Sequence, residues 1–335
     1  MTPYHRRRLL ALCATVLVVL VVAVVLSLMV GRQSLSPAAV LHALFSPTGG
    51  PAEDVVRGLR LQRTVIALVV GLALGGAGAL MQALTRNPLA DPGLLGVNAG
   101  AAAAVVTGFA LFGLTGRYTQ MWLALGGAAV ASVVVYLIGT GGRASVTPAR
   151  LALAGAALSA VLLAYLNALA LRDQESFDTM RFWVVGSVVN RGLDTLGAAL
   201  PFLAVGTVLA LLVTPGLNAL ALGEDTGRSL GLRVGRVRLL TALAVMLLCG
   251  AATAVAGPIA FVGLTVPHVV RSVTGPDQRA VAPLSMLSAA ALLVVADTVG
   301  RVVTSGREIE AGVMTAILGA PVFIALVRRR KLVAL

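Results

Sequence analysis

Few side chains in this 335-residue sequence could carry chemistry, and most of those that could are arginines. The chain holds three histidines, two cysteines and 13 acidic residues against 26 Lys and Arg, and Lys331 is its only lysine. No Gly-x4-Gly-Lys-Ser/Thr loop occurs, so the chain has no phosphate cradle of its own. If ATP drives it, another subunit must bind the ATP. Cys13 and Cys249 lie in apolar runs, which argues against a disulfide framework or a thiolate metal site. His268 has no carboxylate or second histidine near it in sequence. It reads as a structural histidine at a helix start, not as a metal ligand or proton relay. One in-membrane histidine and two cysteines assemble no nucleophile–base pair and no metal set, so an enzyme is not expected. Arg301 follows Asp297 by four residues, the spacing of an ion pair on one helix face.

The elements that position these residues are written in the hydropathy. The chain is 58% hydrophobic and 12% charged, with mean hydropathy +0.96, whereas a soluble domain carries roughly 25% charged residues. This is a polytopic membrane protein, all α-helical, in one transmembrane domain over 1–335. About 20 apolar residues cross a bilayer. On that measure spans are expected at 9–31, 64–84, 94–112, 118–140, 151–171, 195–213 (stopping before Pro215), 239–256, 283–303 and 311–327. From Leu239 to Val270 no charge occurs, and Gly257-Pro258 divides the run, which predicts a bend at 256–262 and a short eighth helix ending near Arg271. That makes ten spans. Residues 32–63 read as a mostly polar connection, about 174–192 as a short helix on the membrane surface, and 216–238 as a hydrophilic loop. The arginines at 6–8, the arginines between 228 and 238, and the basic tail 328–331 place both termini in the cytoplasm. The net charge of +13 thus follows topology and does not call for nucleic acid. No acidic residue falls mid-span, so the usual hardware of a proton- or cation-coupled carrier is missing. The second and seventh runs are each followed by a Gly/Pro-rich break and a short apolar piece, the sequence pattern of an inverted repeat.

The longest stretch of specific pattern runs from Arg60 to Gly100. After Arg60 and Arg63 comes a run with Gly71, Gly75, Gly76 and Gly78, small residues that allow close helix approach in lipid. Gln82 then precedes Arg86-Asn87-Pro88-Leu89-Ala90-Asp91-Pro92 and Leu95-Gly96. A hinge with two prolines, an Asn and an Asp so near the membrane needs water or protein partners. This stretch resembles the signature of FecCD-type permeases, the membrane subunits of type II ABC importers for ferric siderophores, haem and cobalamin. Two further blocks carry the resemblance, Gly257-Pro258-Ile259-Ala260-Phe261-Val262-Gly263-Leu264 through Pro267-His268 to Arg271, and Glu308 to Phe323. Departures are local: Gln62 and Glu310 stand where the family has proline, and Gly227 where it usually has alanine.

The resemblance implies a BtuC-like fold of ten helices, dimerised with an identical or paralogous permease around a central path in the bacterial cell membrane. It implies two ATP-binding cassette subunits holding ATP and magnesium, and an external substrate-binding protein; this chain needs no cofactor or metal. Arg60, Arg63 and Arg301 would dock acidic residues of the binding protein. Gly223, Glu224, Leu230, Gly231 and Leu232 would form part of a coupling element of two short helices seated on the ATPase. Asn87, Leu89, Ser145 and Thr147 would line the inner gate. Ferric siderophore is the leading cargo, with haem and cobalamin as alternatives within the family. A gradient-driven secondary transporter is the rival from another class.

Overall fold

The computed structural model describes residues 3–46, 49–140, 148–171, 178, 181, 183–304 and 308–328, and among them there is no strand. Helices α1 (Pro3–Met29) and α2 (Pro37–Phe45) come first. A short turn at Pro51–Glu53 continues through a π-helical segment, Asp54–Arg60, into α3 (Leu61–Thr85). There follow α4 (Val97–Phe112), α5 (Arg117–Thr140), α6 (Pro148–Ala170) and α7 (Leu193–Ala221). The short α8 (Glu224–Ser229) leads to α9 (Val234–Ala256), α10 (Val262–Thr274), α11 (Gln278–Gly300) and α12 (Ala311–Arg328). Every apolar run named above is a helix. Seven meet the length and hydropathy of a membrane span, while α4 and α12 are apolar but shorter and α10 has 13 residues.

Helix α3 is the axis. Its apolar window is 78% buried inside the chain, against 6% for α1, so α3 is enclosed by other helices and α1 turns outward. The glycine stripe explains how neighbours come so close. A Cβ on Gly75 would lie 2.3 Å from the Ser285 carbonyl oxygen of α11, and one on Gly78 would lie 2.0 Å from the Gly263 oxygen of α10. Both helices touch α3 through its bare backbone, as small-residue packing in lipid requires.

The structure corrects one expectation and adds detail to two. First, α7 does not stop before Pro215 but runs through it to Ala221. Proline cannot donate to the carbonyl four residues back, which here is Leu211, and the Thr214 hydroxyl donates to that oxygen instead at 2.8 Å. Second, the mostly polar connection 32–63 is largely helical, through α2 and the turns from Pro51 onward. Arg57 closes the end of α2 by donating to the carbonyls of Ala43 (2.7 Å) and Leu44 (2.6 Å), a favourable place for a cation. Third, the described part of 174–192 is partly enclosed by the bundle, with 181, 184 and 190 exposed. Trp183 and residues 186–188 are buried, because Ser187 N–H bonds the Ala256 carbonyl at 2.7 Å and Gly312 N–H bonds that of Gly186 at 3.1 Å. This backbone fills the break between α9 and α10, where Gly257 (φ 73°) and Phe261 (φ 67°) take left-handed conformations. Most of 174–182 lies outside the described residues.

Candidate functional site

The polar side chains gather at the two ends of the bundle. At one end meet the C-termini of α1 and α11 and the N-terminus of α3. Arg63 donates to Asp297 at 2.7 Å and to Glu308 at 2.6 Å. Arg301 clasps the same Asp297 through Nε (3.1 Å) and Nη2, and reaches the Ser27 carbonyl at 2.8 Å and the Ser27 hydroxyl at 3.1 Å. Ser27 and Thr64 share a hydrogen bond of 2.7 Å, and Thr64 donates to the Arg60 carbonyl at 2.7 Å. The Arg60 guanidinium caps α1, donating to the carbonyls of Leu28 (2.8 Å), Met29 (2.9 Å) and Gln33. The three arginines singled out from sequence are therefore brought together, but they close on acceptors of this chain. Arg60 and Arg301 are 5% and 3% exposed. Burial pulls the Arg301 pKa down while Asp297 beside it pushes the other way.

Two cavities open at this arginine end. One of about 330 Å³ is bordered by Arg32, Arg60, Arg63, Arg301 and Glu308. The other, of about 730 Å³, is bordered by Arg32, Arg63, Arg117, Arg191, Glu308 and Glu310. Arg63 borders both; Arg60 and Arg301 border only the smaller. Sequence reasoning did not single out Arg117 and Arg191. They begin α5 and precede α7, and only the fold brings them together. Their signal in sequence was position alone, an arginine at the mouth of an apolar run.

At the opposite end lies the hinge. Helix α3 ends on Arg86, in a left-handed cap (φ 51°), and Asn87 accepts from the Leu89 N–H at 2.9 Å. Asp91 accepts from the Gly93 N–H at 2.8 Å and opens the 3-10 turn Pro92–Leu95; burial pushes its carboxyl above the usual range. Asn87 and Leu89 are exposed. Ser145 and Thr147 lie outside the described residues. One turn before the hinge, Gln82 is wholly buried and bonds across to α10, accepting from Arg271 at 2.9 Å and donating to the Leu264 carbonyl at 2.8 Å. Arg271 is itself 0% exposed, and its Nε and Nη2 find no acceptor among the described residues. His268 sits in the second turn of α10, not at its start, and is 5% exposed. No group of three His, Cys, Asp or Glu side chains that could hold a metal occurs among the described residues.

Beside the hinge stands the 216–238 element. Arg86 donates to the Leu220 carbonyl, tying the end of α3 to the end of α7. Asn218 donates to Asp277 at 2.6 Å and accepts from the Gln278 N–H at 2.8 Å, tying α7 to the start of α11. Gly223, with φ 113°, turns the chain into α8. The helix ends in a Schellman cap: Leu232 N–H bonds the Gly227 carbonyl at 3.0 Å, Gly231 N–H bonds that of Arg228 at 2.9 Å, and Gly231 takes φ 82°. Only glycine adopts that conformation without strain. Glu224 braces the turn from inside, pairing with Arg238 and, at 3.5 Å, with Arg228. Leu230 is 64% exposed and Leu232 half-buried. The expected second short helix is absent, since the chain after Gly231 passes directly into α9.

Set beside known proteins, the chain matches the FecCD transport family over residues 19–329. It is 48% identical over 315 residues, 94% of each chain, to the ferric enterobactin transport system permease protein FepD of Escherichia coli (strain K12). To the Fe(3+)-citrate import system permease protein YfmD of Bacillus subtilis (strain 168) it is 37% identical over 313 residues, 93% of each. Among solved structures, an inward-facing conformation described as that of a metal-chelate type ABC transporter is similar with a TM-score of 0.82 at 28% identity. That match covers 94% of this chain and 98% of the other.

Proposed function

This chain belongs to the FecCD transport family, and from that premise we propose that it is the permease subunit of an ATP-driven importer for a ferric siderophore. The observation that carries this reading is the 48% identity with the ferric enterobactin permease, extending over 94% of both chains. In this reading ten helices cross the cell membrane, α4, α10 and α12 completing the seven full-length spans, with the two halves arranged as an inverted repeat. The hinge end faces the cytoplasm with both termini, and the arginine end faces outward.

Two permeases enclose the path, two ATPases bearing ATP and magnesium bind below, and a binding protein delivers cargo from above. Docking falls to the arginine end. Arg63, which borders both cavities, meets an acidic group of the binding protein, while Arg60 and Arg301 hold its platform rigid. Helix α8 with Gly223, Glu224, Leu230, Gly231 and Leu232 seats on the ATPase, and Leu230 supplies the exposed apolar contact. Asn87 and Leu89, with Ser145 and Thr147, form the inner gate. The bond from Arg86 to Leu220 links that gate to α8, which is how nucleotide-driven motion of the ATPases would reach the path.

The test is uptake of labelled ferric siderophores, haem and cobalamin in a strain lacking the gene, with and without its restoration. Each assay is run before and after ATP depletion that spares the proton gradient. Restored uptake of a ferric siderophore that vanishes with ATP is the expected result. Uptake that survives ATP loss and collapses with the gradient would make this a secondary transporter.

A further inference from the structure

Arg271 is the largest side chain among the described residues that the bundle encloses completely, and it is charged. The guanidinium's only hydrogen bond there runs from Nη1 to the neutral Gln82 at 2.9 Å, and no ion pair among the described residues includes it. A buried guanidinium without a carboxylate keeps its desolvation cost uncompensated. The neighbourhood shares the deficit. Among the described residues nine buried side-chain nitrogen and oxygen atoms lack a hydrogen-bond partner, and six of them lie on α10 or on 278–285 of α11. They are Thr265 Oγ1, His268 Nδ1, Arg271 Nε and Nη2, Gln278 Oε1 and Ser285 Oγ. Buried polar groups are ordinarily paired, so a seam of unpaired ones marks a packing that another arrangement improves.

The backbone around α10 allows such an arrangement. Phe261 precedes the helix at φ 67° and Gly275 follows it at φ 85°, so left-handed residues bracket its 13 residues. Gly275 has open space around it. At Gly78 and Gly263, α3 and α10 meet backbone on backbone. A short helix between two such joints can swing as a unit. Movement there reaches the inner hinge directly, because Gln82 lies one turn before Arg86 and also donates to the Leu264 carbonyl of α10.

We infer that Arg271 is a positioning residue: under-partnered in this packing, it biases α10 toward a second arrangement in which water reaches its inner end and Gln82 is released. The inference rests on the importer reading above and gives that reading's change of access a residue that favours it. A charge favours whichever arrangement solvates it better, and it shifts the equilibrium by that difference alone.

The experiment uses the complete transporter, with ATPase and binding protein, in lipid nanodiscs and in cells lacking other iron uptake. Radiolytic hydroxyl-radical labelling of His268, read by mass spectrometry, reports water at the seam without any substitution, since His268 lies three residues before Arg271. Wild type should label severalfold more strongly in one of two states, nucleotide-free or trapped with ATP and vanadate. Arg271→Met removes the charge and should abolish that difference, with ferric-siderophore uptake lowered on the order of tenfold. Its melting temperature should be no lower than that of wild type, because the uncompensated charge is gone. Arg271→Lys keeps the charge without the guanidinium fork, and should retain the labelling difference and most of the uptake. Gln82→Glu supplies a counter-charge beside Arg271 and should keep His268 unlabelled in both states. Equal labelling of wild-type His268 in the two states overturns the inference, since water then stands at the seam always or never. Arg271→Lys failing alongside Arg271→Met, with both melting below wild type, also overturns it and makes Arg271 a structural tie only. Both results leave the importer reading standing. Absence of ATP-dependent ferric-siderophore uptake by the wild type removes the importer reading and this inference together.

Discussion

Asp297→Asn isolates the energetics of the arginine end. Asp297 is 1% exposed and is the common acceptor for Arg63 and Arg301. An amide keeps the shape but removes the charge, leaving the buried Arg301 guanidinium with no carboxylate and Arg63 with Glu308 alone, which is 30% exposed. Breaking a buried pair by removing one partner costs about 3–5 kcal/mol, because the surviving charge stays desolvated. At about 2–4 °C per kcal/mol, the melting temperature should fall by roughly 6–20 °C. The chain supplies its own reporter: Cys249 is 1% exposed, so a thiol-reactive fluorogenic maleimide labels it only on unfolding, once half-buried Cys13 is replaced by serine. A contrasting site is the Arg228–Asp225 pair, whose partners are 62% and 99% exposed. There Asp225→Asn should shift stability by no more than about 1 kcal/mol. The double change Asp297→Leu/Arg301→Met, which removes both charges, should melt above Asp297→Asn alone. A single variant that melts with its parent, or a double variant no better than the single, would refute the reasoning.

The remaining predictions concern the hinge end. Gly227→Ala should stabilise α8 by about 0.5–1 kcal/mol, because its Cβ meets only the Ala219 oxygen at 3.7 Å and Leu220 Cδ2 at 4.0 Å. Gly231→Ala has open space but a left-handed backbone, and should cost about 1–2 kcal/mol; thermal melts with and without the ATPase read both. Arg86→Gln should leave ATP hydrolysis by the assembled complex near wild type while lowering cargo moved per ATP, measured in proteoliposomes; a full transport ratio would rule out the Arg86–Leu220 bond as a link. Burial raises the Asp91 carboxyl above its usual 3.8, so the folded protein binds that proton more tightly than the unfolded chain. Its contribution is therefore present in full below 3.8 and lost as pH rises through the raised folded value. Asp91→Asn, which retains an acceptor for the Gly93 N–H, should flatten the melting-temperature slope over that window; an unchanged slope would contradict the assignment.

Much of the fold was legible because membrane burial leaves a coarse signature. Uncharged runs located every long helix, and Gly257-Pro258 marked the break between α9 and α10. The glycines of α3 announced close packing, although not that α10 and α11 were the partners. Pro215 misled because a local substitution of donors, the Thr214 hydroxyl for the missing N–H, depends on rotamer and not on composition. Burial of Trp183 and of 186–188 was hidden for a different reason. A polar, charged stretch resembles a surface segment until the fold supplies acceptors such as the Ala256 carbonyl. The arginines show the limit most plainly. Arg60, Arg63 and Arg301 were recognisable as a set, but their partners Ser27, Met29 and Glu308 come from distant segments and include main-chain carbonyls, which have no sequence signature. Arg117 and Arg191, 74 positions apart by their numbers, become neighbours only through the fold.

The proline in α7 has a mechanical consequence. At 1.5 Å per residue the 29 residues of α7 extend about 43 Å, roughly 13 Å more than the hydrocarbon layer, which is close to the stretch beyond Thr214. Two hydrogen-bonded ties, Arg86 on Leu220 and Asp277 with Gln278 on Asn218, attach to that overhang, on the same side of Pro215 as α8. The lipid-embedded length lies on the other side, joined through a turn with one backbone bond missing. Any load on Glu224–Ser229 is thus passed sideways to α3 and α11 before it reaches the compliant turn. Pro215 thus separates an overhang anchored to α3 and α11 from the longer shaft of α7 that precedes it.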